Sequence, residues 1–369
     1  WETRSNHAVS GLRIMSSLHW KRVGKWCFEK FITIKELIME KLFIIGNGFD
    51  LAHGLKTSYL EFKNFVYQQI CKSQVNVELD EIPEIKNVFF NDFEIPTSIT
   101  GNHGEELYND QEVAEKYFEL ISLMVKDKRK WIDFENSLAR IGNIEFELNS
   151  FYDAEGDLDY SQTAAYVEDF SETLKNFYQY ATNSLFSGWI NTISKSEEYE
   201  RLLPVKESVL NSKEVALYLT FNYTMVLEDK YGIKEEDIFH IHGSIRTREY
   251  LVGHNVEEEV EEDFNPFSLN SYIASWVEAV RKPVKERLES NAMKNFLERI
   301  SDVTEIYFIG FNLEEKESPD KLYFQRIFKI LPNVKVFIDE FSKDKEKPIK
   351  KTLKEWVLKN YESIEFIKT

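Results

Sequence analysis

The chain has 369 residues, of which 43% are hydrophobic and 30% charged, enough to bury a sizeable core in one large domain or two smaller ones. Its formal net charge of −18 opposes a broad electrostatic grip on nucleic acid or on an anionic membrane surface. Two cysteines, Cys27 and Cys71, can build neither a disulfide framework nor a four-cysteine zinc site and fit a reducing cytoplasm, while no apolar run approaches the length of a bilayer span.

Residues Trp1 to Ile38 differ in composition from the rest of the chain. They carry seven basic and three acidic residues and three of the seven tryptophans. Lys35-Glu36 can be encoded by a ribosome-binding sequence two codons before Met39, so the expectation is a non-native leader with the start at Met39. Leu42 to Ile45 then form an unbroken apolar run that suits a strand covered on both faces. Gly46-Asn47-Gly48-Phe49-Asp50 comes directly after it. Glycines there admit tight turns and close backbone approach, and a helix start beyond them favours an anion. Strand, glycine loop and helix together read as the first βα turn of a nucleotide-binding fold. Asp50 either caps that helix or contributes to a site.

From Ser58 to Leu210 the signals are helical. Ser58-x-x-Glu61 is a capping box ahead of Tyr59, Phe62, Phe65, Val66 and Ile70. Val113 to Met124 fit a second helix, Trp131, Phe134, Leu138 and Ile141 a third, and Tyr166 to Trp189 a long fourth. Between Ser73 and Asp110, Pro83, Pro96, Gly101 and Gly104 read as loops and short elements. Strand patterns resume at 215–219, 238–242, 250–252, 306–309, 334–338 and 364–367, separated by helical patterns such as 225–231, 272–300 and 321–330. The expected fold is therefore α/β: a doubly wound, largely parallel Rossmann-like sheet built from 39–57 and 211–369, with 58–210 as a helical insertion.

Ligands of such sheets bind beyond the carboxyl ends of the strands. Here those ends carry Gly46 to Asp50, Thr220-Phe221-Asn222-Tyr223-Thr224, His242-Gly243-Ser244, Gly310-Phe311-Asn312 and Asp339-Glu340. His240 and His242, two apart on the strand expected over 238–242, share a face and point the same way. His242, nearer the end, is the better placed for a cleft, and His240 reads as a packed, hydrogen-bonded residue. Glu135, one turn from Trp131 and Leu138, reads as a rim carboxylate or as a charge held at the inner surface of the insertion.

Gly-Asn-Gly-Phe-Asp-Leu-Ala-His-Gly-Leu at 46–55, Trp131-Ile132-Asp133-Phe134-Glu135, Thr220 to Thr224, His240 to Ser244 and Gly253-His254-Asn255, in this order, resemble the bacterial AbiH family associated with abortive infection by phage. More distantly, the same order is similar to the sirtuin-like NAD-binding fold. That resemblance implies NAD as ligand or substrate, and hydrolysis of its nicotinamide–ribose bond as the activity. It implies phosphate contacts on Gly46 and Gly48 within a loop that includes Asn47, Phe49 and Asp50. It places a ribose or water-positioning role on Asn222 beyond Thr220, the catalytic imidazole on His242, and the adenosine side along Gly310 and Asn312; Asp339, at its own strand end, is a further candidate for binding the ligand. The departures are also specific. A zinc ribbon is absent, the aspartate expected two residues after Asn222 is Thr224, and no Pro-Asp-Phe-Arg segment follows the glycine loop, so the nicotinamide pocket must be built differently and Asp50 can fill part of that gap.

The expected partners are a nucleotide ligand and a phage-derived trigger in the cytoplasm, with no metal, no membrane and no nucleic acid; a homo-oligomer is allowed. Two rival readings remain at this point. One is a metal-dependent hydrolase or nuclease using His240, His242 and His254 with a carboxylate such as Asp339. The other is a non-catalytic nucleotide-binding sensor.

Overall fold

A computed structural model describes residues 41–71, 110–126, 130–143, 151–212, 215–255, 276–314 and 318–369. The leader expected over 1–38, the loops expected over most of 73–110 and the first residues of the helical pattern at 272 lie outside these. Strand β1 (Lys41–Ile45) leads through Gly46 into the short helix α1 (Asn47–Ala52). Helices α2 (Tyr59–Cys71), α3 (Asp110–Met124), α4 (Phe134–Ser137), α5 (Tyr160–Ser194), α6 (Glu197–Arg201) and α7 (Glu207–Ser212) come next. The chain then alternates through β2 (Ala216–Thr220), α8 (Val226–Asp229), β3 (Ile238–His240), α9 (Val284–Glu289), α10 (Asn291–Arg299), β4 (Glu305–Ile309), α11 (Lys321–Ile330), β5 (Lys335–Asp339), α12 (Glu346–Glu355) and β6 (Glu365–Ile367).

The six strands form one sheet in the order β3-β2-β1-β4-β5-β6, and every pairing is parallel. This is the doubly wound Rossmann-like order, with the direction of winding switching beside β1. All strand carboxyl ends therefore lie on one edge. Side chains alternate as the pleat requires: Phe43 and Ile45 join the core under the helices that come after β1, whereas Leu42 and Ile44 join the core under α10, α11 and α12. An aromatic ladder crosses the first face, with ring centroids of Tyr218–Phe43 at 5.3 Å, Phe43–Tyr307 at 4.7 Å and Tyr307–Phe337 at 4.8 Å. It fixes register across four strands.

Three expectations change in detail. The residues Trp131 to Ile141 are not one helix: Trp131 has φ 51°, a left-handed backbone that no regular helix continues, so α4 starts only at Phe134 and passes into a 3-10 turn. Strand β3 ends at His240 rather than His242, because the chain turns at Gly243, whose φ is 84°. The 250–252 stretch pairs with no strand among the described residues. Of the expected capping box the serine half forms, with Glu61 N–H donating to Ser58 Oγ at 3.3 Å, while Glu61 Oε2 accepts from Asn64 Nδ2.

Candidate active site at the carboxyl edge of the sheet

Beyond β1 and β4 the edge is closed by backbone packing. Gly46 N–H donates to Ile309 O at 3.0 Å, and Gly48 N–H to Gly310 O at 2.8 Å. Gly310 has φ 62°, and a Cβ there would stand 2.1 Å from Phe49 N; one on Gly48 would stand 2.8 Å from Gly310 Cα. Two glycine turns thus press together with no room for a side chain.

The loop's other members point elsewhere. Asn47 Nδ2 donates to Thr57 O at 2.8 Å. Phe49 is fully buried, packed on His53 and Tyr231 with ring centroids at 4.6 and 5.4 Å. Asp50 is not the helix cap: Gly46 occupies that position. Its carboxyl instead crosses to the loop after β2, where Thr224 Oγ1 donates to Asp50 Oδ2 at 2.7 Å. Burial pushes Asp50 up to about 7, against the opposing pull of Thr224, Asn222 and His240.

The loop after β2 is tied back to the glycine loop. Asn222 N–H donates to Thr220 Oγ1 at 3.1 Å, and its Nδ2 to Gly46 O at 3.2 Å. Two buried side-chain oxygens here, Asp50 Oδ1 and Asn222 Oδ1, have no protein partner. Thr220 pairs with His240 in the parallel ladder, so Asn222 and His242 each stand two residues past the same rung. The ring of Phe221 meets that of His242 edge-on at 5.0 Å, and Tyr223 lies 6.4 Å from it.

The two histidines have different partners. His240 directs Nδ1 to Asn222 O at 3.0 Å and Nε2 to Glu228 Oε1 at 2.9 Å, so both ring nitrogens are engaged with oxygens and the ring orders the Asn222 loop. His242 is 4% exposed and directs Nε2 to Asp320 Oδ1 at 2.8 Å. Arg287 fixes the turn between them, donating Nε–H to Ile241 O and an Nη2–H to His240 O.

Asp320 stands just before α11, and no sequence pattern marks it or Lys282. The Lys282 ammonium donates to Glu135 Oε2 at 2.8 Å and to Asp320 Oδ1 at 3.3 Å. Burial opposes that charge, but the Asp320 and Glu135 carboxylates hold the ammonium above its usual range. Burial would raise Asp320, but its neighbours His242 and Lys282 overcome it and hold the carboxyl well below the usual range. Glu135 is thus an inward partner from the helical region, not a rim group.

The remaining predicted residues stand apart. Asn312 Oδ1 accepts from Glu314 N–H at 3.1 Å in a local turn. Asp339, two strands from β1, accepts from Lys206 Nζ at 2.7 Å and Thr369 Oγ1 at 2.8 Å. His254 is fully buried, with Nε2–H donating to Val277 O at 2.9 Å. Among the described residues, no group of three or more His, Cys, Asp or Glu is arranged to hold a metal ion, and no helix is long and apolar enough to cross a membrane.

A family model described as bacteriophage abortive infection AbiH matches residues 42–339. No curated protein and no solved structure gives a significant match.

Proposed function

Because the chain belongs to the AbiH family of bacteriophage abortive infection, we propose that it serves anti-phage defence as an enzyme that binds NAD or a related nucleotide along the carboxyl edge and hydrolyses the nicotinamide–ribose bond. The observation that carries this reading is the placement of Asn222 and His242 past one ladder rung, with the buried Asp320 accepting from the His242 ring. The similarity of the motif order to the sirtuin-like fold supports NAD as the substrate class.

The residues suit the ribose end of such a molecule. Asp50 Oδ1 and Asn222 Oδ1 are buried oxygens without protein partners, and sugar hydroxyls, which both donate and accept, satisfy groups of that kind whether or not Asp50 carries its proton. At the other end, the Gly46 and Gly48 amides already donate to Ile309 and Gly310, so a diphosphate would rely on other donors. With Nε2–H given to Asp320, His242 keeps its lone pair on Nδ1. Nδ1 takes a proton from a water whose oxygen bonds to the anomeric carbon, while the glycosidic C–N bond breaks and its electron pair leaves with nicotinamide. Asn222 holds the sugar or the water while charge spreads over the ribose ring. In this reading the helices between β1 and β2 are left to meet a phage-derived trigger.

Incubation of purified protein with NAD, with and without lysate of phage-infected cells, and chromatography of the products tests the reading. Nicotinamide release above the protein-free control is expected. A rise in thermal stability with NAD but no release under either condition would replace hydrolysis with ligand sensing, and neither response would remove the nucleotide altogether.

A further inference from the structure

Four ionisable side chains from four separate stretches of chain meet around the Lys282 ammonium. Glu135 comes from α4, His242 from the turn after β3, Lys282 from the segment before α9 and Asp320 from the start of α11. The Lys282 side chain is 0% exposed. Its backbone is held as well, with Lys282 N–H donating to His254 O and Val284 N–H to Lys282 O, each at 2.8 Å. The ammonium nitrogen stands 2.8 Å from Glu135 Oε2, 3.3 Å from Asp320 Oδ1 and 3.5 Å from His242 Nε2. Asp320 Oδ1 therefore receives both the imidazole and the ammonium.

We propose that Lys282 and Glu135 are positioning residues that act in opposite senses on how readily the His242 imidazole takes a second proton, the ammonium beside Nε2 opposing it and Glu135 tempering that effect from the far side of the ammonium. The proposal rests on the reading of His242 as the proton acceptor. The physical basis is charge balance among buried side chains. Asp320 alone would favour an imidazolium, which has no lone pair and cannot act as a base. A cation next to Nε2 opposes that protonation, and a second carboxylate on the cation weakens the opposition. The other groups around the ring are the same in every variant, including the Arg287 guanidinium held on the Ile241 and His240 carbonyls. Phe221 is apolar, and burial together with nearby carboxylates holds the Tyr223 and Tyr323 hydroxyls far above the neutral range; the same holds for Tyr59, which burial and Glu135 push upward. The sign of each effect is thus fixed by which member of the network is neutralised.

The test is the titration of His242 by NMR of histidine-labelled protein, with its resonances identified by their loss in His242→Gln. Lys282→Met should raise the midpoint by about one pH unit or more. Glu135→Gln should lower it by a smaller amount, and Lys282→Arg should restore most of the wild-type behaviour. A residue that served packing alone would not produce shifts of opposite sign. Should Lys282→Met fail to fold, a downward shift in Glu135→Gln with a near-native midpoint in Lys282→Arg still supports the proposal. Midpoints that move in the same direction, or that stay in place in every folded variant, overturn it. The titration needs no turnover. Opposite shifts without nicotinamide release would sink the hydrolase reading alone, whereas release with unmoved midpoints would sink this proposal alone.

Discussion

The two halves of the carboxyl edge are built by different means. Beside β1 and β4, glycine turns meet backbone to backbone, and Gly46, Gly48 and Gly310 leave no space for side chains. Beside β2 and β3 the contacts are between side chains: Asp50 with Thr224, His240 with Glu228, and His242 with Asp320 and Lys282. The first half fixes where the chain runs. The second holds buried titratable groups whose charge depends on their neighbours, and this is where acid–base chemistry has its material. A glycine loop at a switch point therefore does not by itself mark the reacting atoms. Here it is the anchor to which Asn222 is tied through the Gly46 carbonyl.

That contrast is broken most severely at Gly310. Alanine there must adopt φ 62° and place its Cβ 2.1 Å from Phe49 N, which together cost several kcal/mol, roughly the sum of a left-handed residue and an overpacked contact. Against a total stability of about 5–15 kcal/mol, urea unfolding should show a much reduced midpoint or no folded protein. Gly54 supplies the control: its φ is 78° but nothing stands within 4 Å of an added Cβ, so Gly54→Ala should cost only about 1–2 kcal/mol. Equal losses at the two positions would mean that the close packing of the glycine turns is not what holds this half.

Asp50 sharpens the comparison through pH. Its folded value of about 7 lies above the usual value of about 3.9 expected in the unfolded chain, so the folded state retains a proton that the unfolded state has released. The associated stability is complete below about pH 4 and is lost as pH rises through 7. Asp50→Asn does not titrate and can still accept from Thr224. Its stability relative to wild type should therefore increase from pH 5 to pH 8, by about 2.5 kcal/mol. Parallel denaturation curves across that range would show that Asp50 is not held neutral by burial.

The smallest effect is expected at Thr224. Removing its hydroxyl in Thr224→Val should cost about 1–2 kcal/mol, the worth of a buried hydrogen bond whose acceptor is then left alone. Urea denaturation at pH 5, where Asp50 is largely neutral, checks the figure. A loss much larger than this would place Thr224 in a wider network than the single bond to Asp50.

Much of the sheet is legible in the sequence because its signals are local. The apolar run Leu42 to Ile45 is buried on both faces as the central β1, and the helical spacing over 321–330 is α11 without change of bounds. Where conformation at one residue decides, the pattern fails: Trp131 fits helical spacing, but its left-handed backbone delays the helix to Phe134. The site divides in the same way. Asn222 and His242 stand out in the sequence as candidates because strand ends are where ligands of parallel sheets bind. Asp320 is 78 residues from His242 and Lys282 is 147 from Glu135; no period or motif joins residues so far apart, and each in isolation resembles an ordinary solvated charge. Asp50 is visible in the sequence, yet its role is not, since the residue four places into a helix looks much like one that caps it.

The central claim is that Asn222 and His242 act on one reaction at the β2–β3 half of the edge. Nicotinamide release from NAD by trigger-exposed wild type, His242→Ala, Asn222→Ala and the double variant tests it most directly. His242→Ala should lose roughly 100- to 10,000-fold in turnover while still gaining thermal stability from NAD, Asn222→Ala should lose turnover as well, and the double variant should lose less than the product of the two. Release at the same background rate by wild type and His242→Ala would contradict it.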